Sequence, residues 1–351
     1  MTPHRDTHRF RRFCAALRGR RHMLIVMQDY PDPDAIAAAA GLRLLAHRLA
    51  RTECVIAHGG VVGRAENQAM VKYLNVRLHP FEDVRRRHYD LIAMVDTQPG
   101  TGNNSLPADM APGLVIDHHP LRSISRRAAF TDIRRRYGAT STIVYEYLRK
   151  ARAPIAAPLA TALFYGIWSD TQDVGRKCLR ADVNALLALH PLSSSRMLKE
   201  IQHGKVPRAY FRSLANALAR ARLAGRSIAT GLGPIDNPDM IGEVADLLLR
   251  HAGIRWSLCY GFYDHKALFS LRTADWKTDV GALASRMAAG EGTGGGHAGA
   301  AGGQILMRPD TPAGRRRIET IIVRRFRQFT RVRGKRSTAL VPPDPGPDNG
   351  G

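Results

Sequence analysis

Leu114-Val115-Ile116-Asp117-His118-His119 is a short apolar run that ends in a carboxylate and two imidazoles. Other apolar segments end in a similar way. His22-Met23-Leu24-Ile25-Val26-Met27 leads into Pro31-Asp32-Pro33-Asp34. Leu91-Ile92-Ala93-Met94-Val95 ends in Asp96, and Phe164-Tyr165-Gly166-Ile167-Trp168-Ser169 ends in Asp170. Apolar runs of this length, alternating with helical stretches, suggest β-α-β units and a parallel sheet. Open sheets of that kind place ligands beyond the carboxyl ends of their strands. Carboxylates and imidazole gathered at one such edge suit Mn²⁺ or Mg²⁺ better than a metal that prefers thiolates.

Working outward, the pattern predicts strands at Met23 to Gln28, Cys54 to Ala57, Leu91 to Val95 and Leu114 to Ile116. Helices are predicted at Asp34 to Arg51, Glu66 to Leu74, Thr140 to Lys150, Pro158 to Ser169, Asp182 to Leu189 and Arg196 to Gln202. A second pattern starts near Arg226. It reads as a strand at Ser227 to Gly231, a helix at Met240 to His251, and a hairpin of Ile254 to Phe262 with Lys266 to Arg272. A helix at Asp279 to Ala289 and a glycine-rich segment from Gly292 to Gly303 follow. This half reads as a smaller mixed α/β domain. Ile318, Ile321, Ile322, Phe326 and Phe329 fall at helical spacing among arginines, the pattern of a basic amphipathic helix. Val341 to Gly351 has the composition of a disordered end.

The chain has 351 residues, enough for two domains with separate cores. Its formal net charge of +23 points to an anionic partner such as nucleic acid, a nucleotide or an acidic surface. An arginine-biased composition with no specific partner is the alternative. Cys14, Cys54, Cys178 and Cys259 are scattered with no C-x-x-C pair, which argues against a zinc knuckle or a disulfide framework. A reducing cytoplasm is the simplest setting. No apolar stretch reaches the ~20 residues of a membrane span.

Asp32 and Asp34 lie two residues apart in a strand-to-helix turn, and Pro33 holds Asp32 extended. Both can reach inward, toward two different metal ions. Asp96 can bridge such a pair, His118 can add a nitrogen and Asp170 another oxygen. Two metals ~4 Å apart would polarise a phosphoryl group and generate a hydroxide nucleophile. His119 would then be left to contact a substrate phosphate or to protonate a leaving group. Asp117 can orient a neighbouring histidine. Taken singly, an aspartate after a strand is more often a turn former or helix cap; four of them in β/α order make accident a poor account.

These residues resemble the DHH phosphoesterase superfamily, whose naming motif appears as Asp117-His118-His119. Pro31-Asp32-Pro33-Asp34-Ala35 resembles its first motif, Asp96 its second, and Asp170-Thr171 its fourth. Thr140-Ser141-Thr142 resembles its Ser-Thr segment, and Gly294-Gly295-Gly296-His297 with Ala300-Ala301-Gly302 resembles the signature of the DHH-associated C-terminal domain. The nanoRNase/pAp phosphatase and RecJ-type branch is the most similar subgroup.

The resemblance implies an α/β architecture: a parallel-sheet DHH domain, a mixed α/β second domain, and an active site in the cleft between them. It implies metal ligands at Asp32, Asp34, Asp96, His118 and Asp170, two Mn²⁺ ions (or Mg²⁺), and His119 at the scissile phosphate. Arg272 and Thr273, with Gly294, Gly295, Gly296 and His297, would bind substrate phosphate. Gln28 stands where the family's first motif has histidine; it is a weaker ligand, and His58 is a candidate substitute. The expected division is a basic arm at 1–21, the DHH domain at 22–205 and a connecting helix at 206–225. The substrate-binding domain then takes 226–310 and a basic tail 311–351.

The leading expectation is a metal-dependent phosphoesterase acting on short oligonucleotides or nucleotide phosphates, with nucleic-acid contact through the basic termini. A homodimer is compatible with the sequence. A cyclic-dinucleotide phosphodiesterase and a single-strand exonuclease are the enzymatic alternatives. A catalytically weak nucleotide- or nucleic-acid-binding protein is the alternative of another class, and Gln28 is the residue that favours it.

Overall fold

The computed structural model describes residues 3–171, 178–275, 277–297, 299–332 and 336–342. The chain divides into two compact units, Met1–Lys205 and Val206–Gly351. In the first, the elements run α1 (Pro3–Leu17), β1 (His22–Val26), α2 (Pro33–Ala50), β2 (Glu53–His58), α3 (Ala65–Leu74), β3 (Leu78–Pro80) and α4 (Phe81–Val84). They continue with β4 (Leu91–Val95), β5 (Leu114–Asp117), β6 (Phe130–Ile133), α5 (Thr140–Lys150), α6 (Ala157–Asp170), α7 (Arg180–Leu189) and α8 (Ser195–Gln202).

The six strands form one parallel sheet in the order β3-β2-β1-β4-β5-β6. Strand order reverses between β1 and β4, so a crevice opens at their carboxyl ends. β1 is buried on both faces, which is why it reads as a continuous apolar run. Met23 and Ile25 join the core under α2, α5 and α6, while Leu24 and Val26 pack with Phe81, Val84 and Met94 on the other face. This is the two-residue alternation of a strand. In α2 the run Ala35 to Ala40 is buried throughout. Small side chains let the neighbouring helix approach closely: a Cβ on Gly41 would come 2.5 Å from Val144 Cγ1.

The residues expected to form a basic arm behave differently. α1 places Phe13 and Leu17 in the main core. The Phe13 ring stacks on Tyr147 at 4.7 Å and meets Phe130 edge-on at 5.6 Å. The arginines of this helix dominate its composition, but its apolar stripe decides its place.

The second unit contains α9 (Arg208–Arg220), β7 (Arg222–Ala224), β8 (Ser227–Pro234), α10 (Met240–Leu249), β9 (Trp256–Tyr263) and β10 (Lys266–Thr273). After these come α11 (Val280–Ala288), β11 (Gly292–His297), β12 (Ala300–Leu306), α12 (Pro312–Phe329) and β13 (Thr338–Ala339). Its seven strands are ordered β11-β12-β10-β9-β8-β7-β13; β8 and β9 pair in parallel and the other pairs are antiparallel. The predicted hairpin of β9 and β10 is present.

The expected connector is redrawn, and the amphipathic helix expected in the basic tail is present. The helix assigned as a connector is part of the second unit's core, since Ala217 and Ala221 are buried and Thr230 Oγ1 donates to the Ala217 carbonyl at 2.6 Å. The basic tail contributes α12, whose Ile318, Ile322 and Phe326 are buried against α11 and the sheet. The expected disorder of Val341 to Gly351 falls almost wholly outside the described residues. No described helix is long and apolar enough to cross a membrane.

Candidate metal centre

Asp32 and Asp34 are positioned by the start of α2. Asp32 is the N-cap, extended at φ −89°, and its Oδ1 accepts from Ala35 N at 2.9 Å; Pro33 follows in the first turn. The ordinary helix-cap reading therefore holds for one oxygen of Asp32. Asp34 is buried and accepts from the first amides of α5, Thr140 N at 2.6 Å and Ser141 N at 2.8 Å. Ala139, the residue before α5, supplies no side-chain cap; Asp34 satisfies that helix start from another element.

Asp96 follows β4 with φ +57°, a left-handed backbone that aspartate tolerates better than most residues. Its Oδ1 accepts from Thr140 Oγ1 at 2.8 Å. Thr140 thus ties Asp34 and Asp96 to one helix turn. Burial, and then the nearby charges of Asp32, Asp34, Asp117 and Asp170, push the Asp96 carboxyl well above the usual carboxylate range. Burial and the Asp32 charge push Asp34 up to about 6, against the hydrogen bonds from residues 140 and 141.

At the end of β5, Asp117 Oδ1 accepts from the backbone amides of His118 (2.7 Å) and His119 (3.1 Å) and from His119 Nδ1 (2.8 Å). Its Oδ2 accepts from Gln98 Nε2 at 2.6 Å. Burial alone would raise the Asp117 pKa, but the His119 charge and these donors outweigh it and hold the group at about 2. Burial alone would lower the His119 pKa, but Asp117 outweighs it and lifts the ring to about 9.

His118 is oriented from behind. Its Nδ1 lies 3.2 Å from the Tyr137 carbonyl, which only accepts, so Nδ1 carries the proton. Nε2 then faces Asp170 Oδ2 at 3.1 Å and Asp96 Oδ1 at 3.5 Å. The segment bearing Tyr137 is held by Arg134, whose buried guanidinium bonds to Asp132, Glu146 and the Tyr137 hydroxyl. Asp170 arrives at the carboxyl end of α6, the helix expected at Pro158 to Ser169.

Two sets of ligand atoms lie within 4.8 Å of one another: those of Asp96, Asp117, His118 and His119, and those of Asp34, His118 and Asp170. Gln28 is partly buried in the loop after β1. His58, considered as its substitute, is buried at the end of β2 and is in neither set.

In the second unit, the residues expected to bind phosphate have other engagements. Arg272 Nε donates to Asp246 Oδ1 at 2.5 Å, and its NH1 donates to Ser270 Oγ at 2.5 Å. Thr273 Oγ1 donates to the Arg255 carbonyl at 2.9 Å and accepts from Asp275 N at 3.1 Å, so this hydroxyl shapes a turn. Gly294, Gly295 and Gly296 are not a loop but part of β11, paired with β12. A Cβ on Gly294 would sit 2.4 Å from the Ala284 carbonyl of α11, and one on Gly281 would sit 2.4 Å from the Gly296 carbonyl. Close helix-to-strand packing is thus one reason for glycine here. His297 ends β11; its side chain lies outside what the structure describes.

Residues 23–167 match the DHH family N-terminal domain, and residues 225–322 match the DHHA1 domain. The chain belongs to the DHH family. It is 33% identical over 285 residues to the uncharacterized protein MJ1633 of Methanocaldococcus jannaschii. That match takes in 81% of this chain but only 58% of the relative's length. An exopolyphosphatase-related protein from Bacteroides fragilis has a similar fold, with a TM-score of 0.69 and 14% identity over 92% of this chain and 98% of that one. RecJ from Thermus thermophilus, solved with Mn²⁺, has a TM-score of 0.47 and 15% identity over 90% of this chain and 55% of that one.

The DHH-domain donor set fits divalent cations. It is rich in carboxylate oxygen, includes one nitrogen with a fixed lone pair, and contains no thiolate. Burial, and after it the neighbouring carboxylates, disfavours the charged forms of Asp34 and Asp96, and a cation held between these oxygens would favour them again. Sequence reasoning missed Gln98 and the Tyr137 carbonyl. A glutamine just past a strand looks like any loop residue, and a backbone acceptor leaves no side-chain signal.

Proposed function

We propose that the protein is a divalent-metal-dependent phosphoesterase that hydrolyses short oligonucleotides or nucleotide phosphates. The observation that carries this reading is the convergence of the His118 Nε2 lone pair with the oxygens of Asp34, Asp96 and Asp170, beside a second histidine held by Asp117. Asp32, Asp34, Asp96, His118 and Asp170 would hold the cations, with Gln28 as a weak additional donor. The imidazole nitrogen favours Mn²⁺ over Mg²⁺. Bound there, such ions would supply Lewis acidity toward a phosphoryl oxygen and an attacking water.

The remaining work falls to the chain. Asp117 takes the Nδ1 proton of His119 in a hydrogen bond and so turns Nε2 outward. From there His119 can meet a phosphate oxygen or hand a proton to the leaving oxygen. The Tyr137 carbonyl fixes the His118 tautomer, and Thr140 holds Asp96 and Asp34 in register. A net charge of +23 favours a polyanionic substrate over a neutral one.

A non-catalytic nucleotide-binding protein is the second reading, favoured by Gln28. The test is hydrolysis of a dinucleotide, an adenosine bisphosphate, a cyclic dinucleotide and a longer single strand, with Mn²⁺ and with chelator. Metal-dependent turnover of the short substrates, lost in Asp96→Ala, is expected. Binding without turnover, unchanged in Asp96→Ala, would favour the second reading.

A further inference from the structure

We propose that Gln98 is a positioning residue for the reaction, holding the Asp117–His119 pair in its working orientation. This inference rests on the role of His119 proposed above.

Gln98 lies just beyond β4, has no exposed surface, and uses its whole amide. Nε2 donates to Asp117 Oδ2 at 2.6 Å and to the Pro120 carbonyl at 3.1 Å. Oε1 accepts from Arg122 N at 2.7 Å and from Ser125 Oγ at 2.9 Å. Two N–H groups and two lone pairs are all that a primary amide offers. Reversing the amide would set its oxygen against a carboxylate and a carbonyl, so its orientation is determined.

The consequence passes to Asp117. Its Oδ1 takes three donors from the 118–119 segment, and Oδ2 takes Gln98. Without Gln98 the buried Oδ2 would lose a charge-assisted bond, and the carboxylate could turn about its own axis. Its bond to His119 Nδ1 would then no longer aim the ring. The Gln98 backbone is anchored as well: its carbonyl accepts from Thr101 Oγ1 at 2.8 Å and Asn104 Nδ2 at 2.9 Å. The side chain therefore joins a rigid loop to the residue that orients His119.

The rival account is that Gln98 only ties down residues 120–125. A reciprocal exchange separates the two. Gln98→Glu keeps acceptors for Arg122 N and Ser125 Oγ but sets a carboxylate against Asp117. Asp117→Asn sets an N–H against Gln98 Nε2. The double variant restores one N–H···O bond in the reverse sense. Each single should lower kcat roughly ten- to a hundredfold, the cost of losing one hydrogen bond to a charged group, with KM and Mn²⁺ affinity by calorimetry nearly unchanged. The double should recover about tenfold over the weaker single. Ser125→Ala, which removes only a fold-side contact, should lower Tm but leave kcat within about twofold.

Wild-type kcat in Gln98→Glu beside loss in Asp117→Asn would overturn the inference and leave the site reading standing. So would a double with no recovery, or a kcat loss in Ser125→Ala as large as in Gln98→Glu. Unchanged kcat in Asp117→Asn would sink the His119 reading itself. Should Gln98→Glu fail to fold, Gln98→Met, uncharged and of similar length, serves the same comparison. A folded Gln98→Met with wild-type kcat overturns the inference.

Discussion

Gly166 of α6 lies against Asp34: a Cβ built on the glycine would come 3.1 Å from the Asp34 Cα and 3.0 Å from Ser141 Oγ. The carboxylate of Asp34 is therefore positioned partly by the absence of a side chain on a neighbouring helix. Gly166→Val should push the start of α2 away from α6. Overpacking of this kind costs about 1–3 kcal/mol, readable in urea unfolding. Hydrolysis should fall at least about tenfold. A Gly166→Val protein as active and as stable as wild type would show that the contact gives way freely.

Asp34 and Asp96 carry raised carboxyl pKa values. The sign follows from linkage. Protonation removes the cost of burying a charge beside other carboxylates, so the stability is fully present below the unfolded pKa of about 3.9. It is lost as pH rises through the folded value, which for Asp34 is about 6. His119, raised to about 9, loses its contribution between the unfolded value of about 6.5 and that pH. In chelator, thermal stability should therefore decline across this whole range. Asp96→Asn should flatten the acidic part of the decline and abolish turnover. Parallel pH profiles for wild type and Asp96→Asn would contradict the placement of a repelled carboxylate there.

Gln28→His should tighten metal binding and raise activity at limiting Mn²⁺, because imidazole is a stronger donor than a neutral amide. The measurement is activity against free Mn²⁺ in both proteins. Superimposable curves would place Gln28 outside the coordination sphere.

Phe13→Ala should destabilise the first unit by about 3–5 kcal/mol, the usual cost of emptying a buried phenylalanine site. It should leave hydrolysis near wild type at low temperature, since Phe13 packs on Phe130 and Tyr147 rather than on the candidate metal ligands. An unchanged unfolding midpoint would restore the expected picture of a basic arm.

The central strands are legible in the sequence because β1, β4 and β5 are buried on both faces and read as unbroken apolar runs. β3, with Leu78-His79-Pro80, and β6, with Phe130-Thr131-Asp132-Ile133, are short and polar edge strands that carry no such signal. β11 is mute for another reason: glycine has no side chain to alternate. The candidate ligands could be read because each follows an apolar segment. Gln98 and Tyr137 could not, because hydrogen bonds to carboxylates and carbonyls from loops obey no sequence period. Arg272 shows the converse, a residue readable by resemblance whose fork is held by Asp246.

α1 also bears on synthesis. Its Arg12 reaches the Ala129 carbonyl across 117 residues of chain, and Phe13 meets Phe130 beside it. A ribosome adding roughly 5–20 residues each second needs roughly 6–23 s to make that stretch. Through that interval a nascent, arginine-rich segment displays Phe10, Phe13 and Leu17 with no strand to cover them. The window is one in which a chaperone can hold the chain, or in which anionic RNA near the exit tunnel can compete with the protein's own core.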